Sequence, residues 1–155
     1  MVIFHRRLPG KRVAIAMQPL NSNWGQDGNW QLATYTADAS GNLTTNSTYS
    51  NMPSVAVGTV NDYWMSPDGK YLAVGGSAGF QLFHFNGPNP IKKFTGRMTT
   101  NPIDQTFWDT AGHVYAISRG TGKLFVWNVT STGVSRAPGS PYKIPSIQNL
   151  IVLPK

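Results

Sequence analysis

The sequence predicts an all-β chain of short antiparallel strands, and three observations predict it. Where the apolar residues are regular they alternate with a period of two, as in WQLATYT (residues 30–36) and HVYAIS (residues 113–118), which is the pattern of a strand with one face on a core. Gly and Pro, 16 and 11 of the 155 residues, break the chain nearly every ten residues, the punctuation of strands joined by tight turns. Residues 60–85, VNDYWMSPDGKYLAVGGSAGFQLFHF, can also be laid over residues 103–127, IDQTFWDTAGHVYAISRGTGKLFVW, with one residue deleted. In that alignment Val60 falls on Ile103, Gly69 on Gly112, Ala73 on Ala116 and Val74 on Ile117. After the deletion Leu82, Phe83 and Phe85 fall on Leu124, Phe125 and Trp127. The pitch is 43 residues, and repeats of about 40–45 residues made of short strands are the mark of β-propeller blades.

Taken in order, residues 12–18 (RVAIAMQ) follow a turn at Leu8-Pro9-Gly10-Lys11 and match KYLAVGG and HVYAISR in the later repeats. Residues 30–36 form the next strand and end at the hairpin ADASGN before Leu43. Between them residues 19–29, PLNSNWGQDGN, are longer than the corresponding loops at residues 75–79 and 119–122, and a long loop on a repeat scaffold is often a binding element. The second unit runs through the hairpin SPDGK, the strands 71–74 and 80–85, and an outermost strand at 91–94. The third uses residues 109–113 as its first hairpin and STG (131–133) as its last. Residues 146–153, SIQNLIVL, read as the first strand of a further blade. The expectation is therefore one partial propeller, with blade-like units at about 1–52, 53–96 and 97–143 and a closing strand at about 146–153. Three four-stranded blades are fewer than the four to eight that close a ring. The ring is thus expected to be incomplete, and further blades, or self-association through open strand edges, would have to finish it.

Composition excludes several functions. The apolar fraction of 40%, with 5 Trp, 6 Tyr and 7 Phe, suffices for a folded core, and without Cys there is no disulfide scaffold and no thiolate metal site. The net charge of +7 owes four of its cations to Arg6, Arg7, Lys11 and Arg12 and falls to +3 without them. The remaining Lys and Arg do not interleave with aromatics as a strand-binding groove requires, so no nucleic-acid partner is expected. No apolar run approaches 18 residues and residues 1–20 lack a signal-peptide core. The sequence as given is thus expected to be soluble, in the cytoplasm or a bacterial periplasm or secreted. His5, His84 and His113 fall on different parts of the units, so neither a metal site nor a cofactor is expected. No phosphate loop or nucleophile elbow is present.

The phrases SPDGKYLAV, GKLFVWNVTSTGVS (residues 122–135), APGSPY and IQNLIVLPK resemble the lactonase-like, phosphogluconolactonase-type seven-bladed β-propellers of bacteria, over most of the chain from Trp30 onward. The resemblance implies a central channel with a ligand site at one mouth. Strand direction then places Asn61 with Asp62, Asp104 with Gln105, and Gln148 with Asn149, each pair at the start of an innermost strand, on the face that also bears Trp24, Asp27 and Arg119. Two readings of these recurring polar pairs stand side by side. They line a ligand mouth, or they satisfy backbone groups between neighbouring blades. For lactone hydrolysis Asp62 or Asp104 is the candidate base and Arg119 the candidate anion holder, with Trp24, Asp27, Asn61, Gln105, Gln148 and Asn149 as candidate ligand contacts. The chain has no Glu and the site is incomplete without groups from other blades. The expected function is a ligand- or partner-binding scaffold that is not catalytic alone, with hydrolysis of a sugar lactone by a complete or assembled ring as the alternative.

Overall fold

Tight turns set the strand ends. Gly69 and Gly112 each take a positive φ, 71° and 87°, a backbone state that a Cβ disfavours, and each turns a first strand back on a second. The computed structural model, which describes residues 12–85 and 89–152, contains twelve strands and, among those residues, no helix. The first sheet comprises β1 (Arg12–Met17), β2 (Gln31–Ala37) and β3 (Leu43–Thr44). The second comprises β4 (Val60–Met65), β5 (Tyr71–Gly76), β6 (Gly79–His84) and β7 (Lys92–Lys93). The third comprises β8 (Gln105–Trp108), β9 (His113–Ser118), β10 (Lys123–Thr130), β11 (Gly133–Arg136) and β12 (Tyr142–Lys143). All three are antiparallel meanders in chain order, with β11 and β12 dividing one edge of β10. None closes on itself as a barrel.

Alternation along the strands builds two cores. Ala14, Ala16 and Leu32 of the first sheet meet Tyr63, Leu72, Val74 and Phe83 of the second. From the opposite face of the second sheet, Tyr71, Ala73, Phe80 and Leu82 meet Val114, Ala116, Phe125 and Trp127 of the third. The second sheet therefore lies between the other two, which is why β5 is buried at all six positions. Trp64 and Phe107, matched by the repeat, stack on one another at 5.4 Å.

Two expectations need correcting. The repeat is real, but the one-residue deletion belongs elsewhere. The first hairpin closes between Met65 and Leu72 in the second sheet and between Trp108 and Val114 in the third, one residue shorter. The next turn is two residues long between Gly76 and Gly79, but four long between Ser118 and Lys123. Val74 therefore corresponds to Ala116 and Phe83 to Trp127. A slip of one residue turns a strand over, so Ala73 and Ala116, aligned by the sequence, point into the same core from opposite sheets.

Secondly, residues 146–152 form no strand. Ile144 N–H donates to Gly122 O and Ile147 N–H to Ile144 O, and Ser146 takes a φ of 60°, which turns the chain before it can join a ladder. The N–H and C=O of Leu150 are met instead by the side chain of Gln105, at 3.0 and 3.1 Å. The first unit shows three strands among the described residues. Residues 1–11, with His5, Arg6, Arg7 and Lys11, lie outside them, as do residues 86–88 of the expected turn and residue 153.

Candidate functional site

The first strands of the second and third sheets, β4 and β8, run side by side without a backbone ladder between them, and side chains fill the gap. Asn61 Nδ2 donates to Ile103 O at 2.9 Å. Asp62 Oδ2 accepts from Thr106 N–H at 2.6 Å and from Thr106 Oγ1 at 3.0 Å, and Trp108 Nε1 donates to Trp64 O at 3.0 Å. Asn61 and Asp62 thus supply partners to a backbone carbonyl and a backbone N–H of the neighbouring unit. Gln105 repeats the device one unit later on Leu150.

The seam continues through the other candidates. Asp104 Oδ2 accepts from Arg119 N–H at 2.7 Å, fixing the start of the turn after β9. The exposed Arg119 side chain donates through Nε to Gln148 O at 2.6 Å. The structure thus brings Asn61, Asp62, Asp104, Gln105, Arg119 and the main chain of Gln148 onto one line. Gln148 enters it through its carbonyl, whereas Asn149 is exposed and makes no hydrogen bond to a described residue.

Trp24 and Asp27 are not joined to the seam by any bond. They sit on the β1–β2 loop, held by that loop's own bonds: Trp24 N–H to Asn21 O at 3.0 Å and Asp27 N–H to Pro19 O at 2.9 Å.

These bonds engage the candidate groups. A general base must offer its carboxylate to a water beside the substrate, whereas Asp62 Oδ2 is occupied by two donors from β8 and Asp104 Oδ2 by a backbone amide. The contacts of Asn61 and Asp62 fall on backbone groups of the neighbouring unit, and those of Gln105 on the backbone of Leu150, outside any sheet.

A cluster outside the candidate set lies at the β8–β9 hairpin. Asp109 Oδ1 accepts from Ala111 N–H at 2.9 Å and His113 N–H at 2.8 Å, while Oδ2 meets His113 Nδ1 at 2.6 Å and the Tyr115 hydroxyl at 3.0 Å. Burial acts to raise the Asp109 carboxyl, but the bonds from His113 and Tyr115 outweigh it and hold the group below its ordinary value. Burial first, then the Asp109 carboxylate, pushes the Tyr115 phenol up. The signal in the sequence is an Asp that opens a hairpin, with His and Tyr two residues apart on one face of the returning strand. The cluster fastens the turn.

Among the described residues no three His, Asp or Glu side chains come together to hold a metal ion, and no helix is long and apolar enough to cross a membrane. Neither a scan against protein-family models nor a search of curated proteins finds a match to this chain.

Proposed function

We propose that the chain is a segment of a lactonase-like β-propeller that serves as a binding scaffold and does not turn over substrate on its own. Three meandering sheets stacked through two cores support the blade reading. The observation that carries the functional part is the engagement of the candidate catalytic groups: Asp62, Asp104 and Arg119 each spend a polar atom on holding one strand or turn to another. A lactonase needs a base, an anion holder and an ordered water within about 0.5 Å of a productive arrangement, and groups from further blades would have to complete such a set.

In this reading further blades join through the end faces and the inner seam. The outer edge of the second sheet is the two-residue β7, both of whose lysines are exposed, and short charged edges oppose edge-to-edge pairing.

The test is a pH-stat titration of a sugar lactone over the purified monomer, with mass photometry to count copies. The expected result is lactone opening at the buffer rate, together with destabilisation by about 1–3 kcal/mol in Asp62→Ala, which leaves Thr106 N–H without its acceptor. Turnover by the monomer that disappears in Asp62→Asn and Arg119→Ala at unchanged stability would replace the scaffold reading with the hydrolase one.

A further inference from the structure

The β1–β2 loop holds a tryptophan where packing has no use for one. Trp24 is 83% exposed, and its φ of 60° lies in the left-handed region that a bulky side chain disfavours. Glycine would relieve that strain and the core would lose nothing. A strained backbone under an exposed aromatic points to function, and the surroundings say of what kind.

The tip is built before any ligand arrives. Leu20 and Gln26 form a bridge across it. Asn21 Oδ1 accepts from both Asn23 N–H and Gly25 N–H at 3.0 Å, and Gln18 Nε2 closes the foot on Gly28 O at 2.9 Å. The same loop carries the exposed amide side chains of Asn23, Gln26 and Asn29, none bonded to another described residue. Residues 18–31 contain no Lys, Arg or His, and their single charge is Asp27. A second exposed aromatic, Tyr49 at 72%, lies on a loop tied to the same foot, since Gln31 Nε2 donates to the carbonyls of Tyr49 and Met52 at 3.3 and 3.4 Å.

We infer that this loop is a docking tip for a neutral carbohydrate chain, with Trp24 as the stacking platform. A pyranose ring presents a C–H face that lies flat on an indole, and its hydroxyls both donate and accept, as the three amides do. The absence of cations disfavours anionic ligands and nucleic acid, whose binding rests on Lys and Arg. One loop is also small beside the roughly 800 Å² per partner of a stable protein interface. The site stands on its own loop and does not depend on the propeller reading or on the seam.

Cellohexaose, chitohexaose and maltohexaose, each titrated into the full chain, test it by calorimetry and by the indole N–H resonances in ¹H–¹⁵N spectra. The Trp24 signal is assigned by its loss in Trp24→Gly. At least one of the three should bind, move the Trp24 resonance, and hold its affinity when salt is raised. Trp24→Gly should weaken binding at least about tenfold while the melting temperature rises, which separates lost contact from lost fold. Trp24→Phe should keep part of the affinity. The inference is overturned if none of the three moves the Trp24 resonance, if Trp24→Gly binds as tightly as the parent chain, or if polygalacturonate binds in preference to all three and is released by salt.

Discussion

The second and third sheets share one plan, yet their β5–β6 and β9–β10 turns have opposite surroundings. In the second sheet the turn is Ser77-Ala78, flanked by Gly76 and Gly79. Neighbouring chain wraps it: Ser77 N–H donates to Thr59 O at 2.9 Å, Ala78 N–H to Val57 O at 2.7 Å, and Met98 N–H to Phe80 O at 2.8 Å. A Cβ at Gly76 would strike the carbonyls of Val57 and Thr59, and one at Gly79 that of Thr99. In the third sheet the turn spans residues 119–122, carries the exposed Arg119, and leaves open space around Gly120. The tight turn gives up its surface to packing, while the longer one leaves room at Gly120 and carries Arg119, whose side chain reaches Gln148 O. The sequence difference behind this is two residues of loop length.

The largest test of the shared plan lies in the cores. Phe83→Ala empties the core between the first two sheets and Phe125→Ala the one between the last two, and each should cost about 3–5 kcal/mol in a urea titration. A loss under about 1 kcal/mol for Phe125→Ala would mean that the third sheet is not packed as the second is. The contrast between turns is sharpened by Gly79→Ala, expected to cost on the order of 2 kcal/mol because backbone must move, against Gly120→Ala, expected to stay within about 0.5 kcal/mol. Equal melting temperatures for the two would remove the distinction.

The first hairpins differ in another way. Asp68 is held in the second sheet by Ser66 and Lys70, and Asp109 in the third by His113 and Tyr115. In both, burial acts to raise the carboxyl and the hydrogen bonds bring it below its ordinary value. A carboxyl depressed in the folded state adds stability above its unfolded value of about 3.9 and loses it as pH falls through the folded value. Melting temperature should therefore drop from pH 5 to pH 3, and Asp109→Asn should flatten part of that drop while leaving the Asp68 part. An acid limb unchanged in Asp109→Asn would show that the His113 and Tyr115 bonds do not depend on the charge. One substitution should give a gain: Trp24→Gly should stabilise the chain by about 1 kcal/mol by relieving the positive φ, read as a rise in melting temperature.

The strands were legible because period-two alternation and glycine turns are local signals; β4 begins and ends where the repeat placed it. The register of later strands was not, since a residue lost in the first hairpin leaves identical residues, Ala73 and Ala116, facing opposite ways. Sequence identity outweighed the pleat. The polar positions Asn61, Asp62 and Gln105 stood out through their recurrence, yet their partners are the backbone groups of Ile103, Thr106 and Leu150, which carry no residue signature. For the same reason residues 146–152 read as a strand. Their apolar pattern is strand-like, but the side chain of Gln105 takes Leu150 where a neighbouring strand's backbone would. The Asp109 cluster crosses a single hairpin and was visible only as turn composition.

The seam that begins between β4 and β8 also has a kinetic consequence. Four of its side-chain bridges join residues 42, 44, 44 and 45 positions apart, each about one repeat. Closing each such loop costs nearly the same entropy, since that cost grows only with the logarithm of length. The chain can therefore assemble like a zipper, each sheet docking on the one before it, with the search for partners confined to the preceding unit. Folding time should then grow with the number of units, without the steep penalty of a fold whose chain ends must meet first.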